Sequence, residues 1–120
     1  MLKSKAQKYE NIPLPAELCE YILQILDESY TSKNGINSIA IDVLSKIALN
    51  SPTGRNPSAL GITSTDIEKQ LQLSRFLCDD IINTLVGATL IQYEIVGKKK
   101  YWTLTARGKQ VLSLAVSKFQ

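Results

Sequence analysis

Residues 65–85 read TDIEKQLQLSRFLCDDIINTL. Ile67 and Leu71 stand four apart, the interval that stacks side chains on one face of a helix. Thr63-Ser64-Thr65 offers caps for that helix, and Thr65 with Glu68 matches a capping box. The spacing predicts a short helix to about Gln72. Leu73-Ser74 then makes a turn, and Ser74 is of the type that caps a helix start. From Arg75 to about Val86, Cys78, Ile81, Ile82 and Leu85 fall at offsets of three and four, which predicts a second amphipathic helix. Turning that row inward leaves Arg75, Phe76, Asp79 and Asn83 outward.

Working outward, Leu90 to Val96 changes to strand composition. Gly97-Lys98 begins a tight turn, and Lys100 to Leu104 reads as the returning strand of a hairpin. Thr105 caps a last helix, in which Val111, Leu112, Ala115 and Phe119 form a stripe that Leu114 and Val116 widen. On the other side, Ser51 to Gly61 holds two prolines and two glycines and reads as loop. Before it, Ile36, Ile39, Ala40, Val43, Leu44, Ile47 and Ala48 predict a central helix from about Asn37 to Asn50. Ser32-Lys33-Asn34-Gly35 reads as the stop of an earlier helix running from Pro15 to about Tyr30, with Pro15 at its first position. That helix carries one strip of Leu14, Leu18, Ile22, Ile25 and Leu26, and a second of Cys19, Leu23 and Tyr30. Residues 1–12 are polar, and a frayed or late-docking lead is expected there.

The chain of 120 residues suggests one domain. We divide it into an N-terminal helix within 1–35, a core over 36–104 and a C-terminal helix within 105–120. A chain of this size buries roughly two-thirds of its unfolded surface, enough for a core without staples. With 44% apolar and 21% charged residues the balance is that of a globular chain. No apolar run approaches the ~18–20 residues of a membrane helix, and the N-terminus lacks a signal-peptide pattern. A cytoplasmic protein without membrane contact is expected.

Histidine is absent from the sequence, which removes the commonest general base and the commonest nitrogen ligand. Asp79-Asp80 is a vicinal pair pointing in different directions, not a matched acid and base. Cys19 and Cys78 fall on apolar helix faces and read as small buried hydrophobes, with redox sensing the alternative. Two cysteines without histidine make no zinc site. The expectation is a non-enzymatic domain with no catalytic residue, no metal and no cofactor.

Charge is uneven along the chain. The net charge is +3, composed of +2 over residues 1–10, −4 over 11–90 and +5 over 91–120. Basic ends can mark a nucleic-acid footprint, or simply a solvated face.

The predicted order of helix, helix, turn, helix and two-stranded hairpin is that of a winged helix-turn-helix: mainly α with a small β-hairpin wing, flanked by N- and C-terminal helices. The motifs sharpen this. TDIEKQLQLSRFLCDDIINTL at 65–85 resembles the bacterial helix-turn-helix pattern, with "L-S" at the turn. LVGATLI at 85–91 is similar to the "L-x-x-x-G-L-I" that leaves the recognition helix of MarR-like regulators, although Thr89 stands where that family has Gly. YWTLTARG at 101–108 matches the "L-T-x-x-G" at the end of their wing. The resemblance spans about residues 62–112.

The resemblance implies double-stranded DNA as partner. A helix fits the major groove and reads base edges near its N-terminal end. Arg75 is placed to contact guanine or hold a phosphate. Asn83 pairs with adenine or lies idle, and Phe76 touches a thymine methyl or packs on the neighbouring helix. Asp79 accepts from a cytosine amine or is solvated. Ser64, Thr65 and Ser74 sit at helix starts, where hydroxyls and free amides favour phosphate. Lys98, Lys99 and Lys100 form the wing's basic tip, and Arg107 and Lys109 extend the same basic end of the chain. The doubled apolar strips suggest a homodimer through Ile22, Leu26, Leu112, Leu114 and Phe119.

Transcriptional regulation is the role that the MarR-like resemblance implies. A centromere-binding adaptor for plasmid or phage segregation is the second, by similarity in length and build to small TubR-like winged-helix proteins. The rival from another class is a winged-helix protein–protein interaction module that does not bind DNA. The acidic middle and Asp79-Asp80 favour that rival and the basic wing opposes it. A small-molecule effector is neither supported nor excluded.

Overall fold

The structure, a computed structural model, describes residues 12–31, 38–53 and 57–118. The expectations for residues 1–11, for the stop at 32–35, for Ile36 and for Phe119 lie outside the described residues. The element order is α1 (Ala16–Ser29), α2 (Ile39–Leu49), α3 (Ser64–Leu71), α4 (Arg75–Gly87), β1 (Ile91–Val96), β2 (Lys99–Leu104) and α5 (Ala106–Lys118). This is the expected winged helix-turn-helix with a flanking helix at each end.

Hydroxyls start four of the five helices among the described residues. Ser38 Oγ accepts the Ile41 amide at 3.0 Å, and Ser74 Oγ accepts that of Leu77 at 3.1 Å. Thr105 Oγ1 accepts the Gly108 amide at 3.0 Å. Each satisfies an amide that the first turn leaves without a helical partner. The expected Thr65–Glu68 box is corrected. Thr63 is the cap, with its Oγ1 accepting the Asp66 amide at 3.3 Å. The helix starts earlier because Thr63 alone of the three hydroxyls keeps extended backbone. Pro15 likewise lies one position ahead of its expected place, at the cap of α1.

Helix α4 ends in a Schellman motif. The Leu90 amide bonds Leu85 O at 3.0 Å and the Thr89 amide bonds Val86 O at 2.9 Å. The left-handed position falls on Thr89, at φ 64°. Thr89 therefore adopts the conformation that a glycine would otherwise supply, and Gly87 stays helical. The strain is held by neighbours. Thr105 Oγ1 donates to Thr89 O at 2.7 Å, and Arg107 Nη1 donates to Thr89 Oγ1 at 3.0 Å.

The wing is a two-stranded antiparallel hairpin in which Tyr93 faces Trp102 and Ile95 faces Lys100. Gly97, at φ 65°, turns the chain. A single bridge, with Ile62 and Trp102 exchanging both backbone bonds, anchors the wing to the segment before α3.

The core gathers Leu44, Ile47, Ile67, Ile81, Leu85, Leu90, Ile91 and Val111, all essentially fully buried, around α2. Gly108 lies where α5 crosses the end of the hairpin. A Cβ there would collide with Leu90 O and the Leu104 side chain. The last position of the "L-T-x-x-G" motif is thus a packing requirement.

Helix α1 corrects the sequence reading. Cys19, Leu23 and Leu26 face inward with Leu14, while Leu18, Tyr21 and Ile25 are exposed and Ile22 is partly covered. The two strips are adjacent on one helix, so periodicity alone cannot say which meets the core. Leu26 is 1% exposed and belongs to this chain's own core, not to an outer face.

Candidate nucleic-acid interface

The second helix of the helix-turn-helix presents the residues that spacing turned outward. Arg75, Phe76, Asp79 and Asn83 are all exposed, and Cys78, Ile81, Ile82 and Leu85 are buried beneath them. Phe76 is 84% exposed. It does not pack on the neighbouring helix, which removes one of its two expected uses.

Asp79 and Asp80 part company. Asp79 stays on the exposed row. Asp80 lies one residue round the helix, and its Oδ2 accepts the Tyr30 hydroxyl at 2.7 Å.

The wing's lysines are not equivalent. Lys98 lies in the turn, while Lys99 and Lys100 belong to β2 and so project to opposite faces of the hairpin. All three are exposed at the hairpin's tip, but they differ in direction. Lys100 Nζ sits 4.4 Å from the Tyr93 ring centroid and 5.5 Å from that of Trp102. The two rings meet edge to face at 5.5 Å. Their quadrupoles hold the ammonium beside the wing.

A polar cleft of about 420 Å³ separates the wing from the start of α3. Thr63, Ser64, Thr65 and Asp66 line one side, and Lys69, Lys99 and Lys100 complete it. Trp102 Nε1 donates to Ser64 Oγ across this junction at 3.0 Å. Ser64 thus gives its oxygen to the wing and keeps its own proton to donate. Thr65 and Ser74 remain exposed. The arrangement suits an extended polyanion: cations at the wing and hydroxyls at the start of α3 share one cleft.

Arg107, at the same basic end of the chain, is engaged within the fold. Its Nε donates to Ile12 O at 2.8 Å, and its Nη1 to Thr89, so it clamps the segment before α1 to the end of α4. Sequence reasoning missed this, and it missed Tyr30, read as apolar filler. A tyrosine in place of leucine at a helix end was the available signal. The Cys78 thiol is pushed up to about 11, first by burial and then by the nearby Glu68 and Asp79 carboxylates. Burial also raises Cys19, with Glu20 adding to it. Both thiols are free and buried. Among the described residues no cluster of three or more His, Cys, Asp or Glu side chains could hold a metal ion. No helix of the described residues is long and apolar enough to cross a membrane.

The five helices and the two-stranded hairpin define a winged helix-turn-helix fold. Among solved structures, the chain is similar to MepR, a transcription regulator of the Staphylococcus aureus multidrug efflux pump MepA. The match has 19% identity and a TM-score of 0.58, covering 86% of this chain and 71% of MepR. No protein-family model matches the sequence. No curated protein matches it either.

Proposed function

We infer that this chain binds double-stranded DNA sequence-specifically as a homodimer and regulates transcription. One observation carries the reading. The row Arg75, Phe76, Asp79 and Asn83 is exposed on α4, and α4 packs through Cys78 on the start of α3, which shares a cleft with Lys99 and Lys100 of the wing. The fold shared with a transcription regulator supports it. Arg75 and Asn83 address base edges, while Ser64, Thr65, Ser74, Lys98 and Lys99 hold phosphates.

The dimer is supported by the outward row Leu18, Tyr21, Ile22 and Ile25 on α1, at the offsets of one helix face, and by half-covered Leu112 and Leu114 on α5. A two-fold dimer presents two recognition helices to two half-sites.

The test is selection of bound sequences from a random duplex pool, followed by gel shifts across a salt series. Enrichment of a two-fold or repeated site with salt-dependent affinity is expected. Absence of salt-dependent binding to any duplex would overturn the reading in favour of a protein-interaction module.

A further inference from the structure

We propose that Tyr30 is a positioning residue that sets the rotation of the recognition helix and so determines how sharply the protein discriminates among DNA sequences. This rests on the DNA-binding reading above.

Tyr30 closes α1, and its backbone is pinned on both sides. Its amide bonds Leu26 O at 3.1 Å, and its carbonyl accepts the Ile39 amide at the start of α2 at 2.6 Å. Its side chain leaves that junction for α4. The hydroxyl donates to Asp80 Oδ2 at 2.7 Å and lies 2.9 Å from Thr84 Oγ1. A phenol has one proton, which goes to the carboxylate. Thr84 also has one proton, which is shared between the Tyr30 oxygen and the Asp80 carbonyl at 3.0 Å.

The geometry is that of a rotational lock. Asp80 and Thr84 are four residues apart and share one side of α4. Asp79 and Asn83 precede each of them by one residue, about 100° round the helix, on the exposed row. Fixing Asp80 and Thr84 to an outside anchor therefore fixes the azimuth of Asp79 and Asn83. Packing of Cys78, Ile81, Ile82 and Leu85 against α2, α3 and β1 sets the coarse rotation of α4, and because α1 packs mainly on α2 and α5, the Tyr30 hydroxyl adds a directional restraint on the side of α4 that this packing leaves open. The lock also draws one of two adjacent carboxylates to the Tyr30 side, where its oxygen is engaged. A rotated α4 would keep its phosphate contacts, which tolerate small shifts. It would lose base contacts, which need bidentate alignment.

The experiment compares wild type, Tyr30→Phe, Asp80→Ala, Asp80→Asn and the Tyr30→Phe/Asp80→Ala double variant. Affinity is measured for the selected duplex and for random duplex. Tyr30→Phe keeps the ring, so folding is retained. It should lower the ratio of selected to random affinity by about five- to tenfold, with random affinity and the thermal midpoint nearly unchanged. Asp80→Ala should lower the ratio similarly, and the double variant no further. Asp80→Asn removes the charge but keeps an acceptor, so it should retain most of the ratio. An unchanged ratio in Tyr30→Phe, or additive losses in the double variant, would overturn the proposal.

Hydrogen–deuterium exchange of residues 75–84 in the same variants, without DNA, separates the two readings. Faster exchange in Tyr30→Phe, with no sequence-preferring DNA binding by wild type, would sustain the lock while removing the function it serves. Exchange equal to wild type would overturn the lock whatever the DNA result.

Discussion

The Lys100 ammonium rests 4.4 Å from the centroid of the Tyr93 ring, on the face of the hairpin where Tyr93 meets Trp102. A cation held by aromatic rings contributes less to phosphate binding than one free in the turn. Each lysine that neutralises a phosphate adds about −0.9 to the slope of log affinity against log salt. In a dimer, replacing Lys98, Lys99 and Lys100 together by Ala should flatten the slope by roughly two to five units. Lys98→Ala with Lys99→Ala should account for most of that change, and Lys100→Ala alone for the least. Gel shifts over a salt series check this, and equal effects from all three would contradict it. Preference among sequences should change little, because phosphate contacts do not read bases.

Sequence preference should reside in α4. Arg75→Ala and Asn83→Ala should each reduce discrimination at particular base positions by about 1–3 kcal/mol. Competition against single-substituted duplexes reads this out. Uniform loss of affinity for every sequence would place both residues on the backbone instead.

Self-association should separate the outward from the inward residues of α1. Ile22→Glu or Leu114→Glu should give a folded chain whose mass by light scattering falls from twice 13.3 kDa to 13.3 kDa. A charge buried at an interface without a partner costs several kcal/mol, enough to dissolve a micromolar dimer. Leu26→Glu should instead unfold the chain, because Leu26 is buried within its own core. Circular dichroism distinguishes the two outcomes. Wild type that scatters as a monomer at high concentration would remove the dimer.

Gly108→Ala should lower stability by about 3 kcal/mol, because backbone and the Leu104 side chain already occupy the place of a Cβ. Urea denaturation checks the value. A change below about 0.5 kcal/mol, the level of an ordinary surface substitution, would show that α5 can shift without cost.

The thiols should be inert in the folded state. With Cys78 pushed up to about 11 and Cys19 also raised, both are protonated at neutral pH, and the thiolate is the reactive form. Burial acts in the same direction. An aromatic disulfide reagent should modify both cysteines only at the rate of unfolding. Rapid modification of native protein near neutral pH would restore the redox-sensing alternative.

Local chemistry determined much of this protein from sequence alone. The period of Cys78, Ile81, Ile82 and Leu85 placed α4 and its buried face, and turn residues placed the hairpin. Hydroxyls at Ser74 and Thr105 marked helix starts correctly, because a cap acts within three residues of itself. What depends on distant residues was not legible. Which strip of α1 faces inward is decided by where α2 and α5 lie, and adjacent strips of similar apolarity leave periodicity without a preference. Thr89 takes a left-handed conformation that its own side chain disfavours, and its neighbours Thr105 and Arg107 come from the far side of the hairpin. Arg107, Lys100 and Asp80 were three charges by sequence. Only the fold brought a carbonyl and a threonine to the first, two rings to the second and the Tyr30 hydroxyl, fifty residues away, to the third. Helical and strand periods are written in short-range sterics, whereas the partner of a charge is set by which surfaces the core brings together.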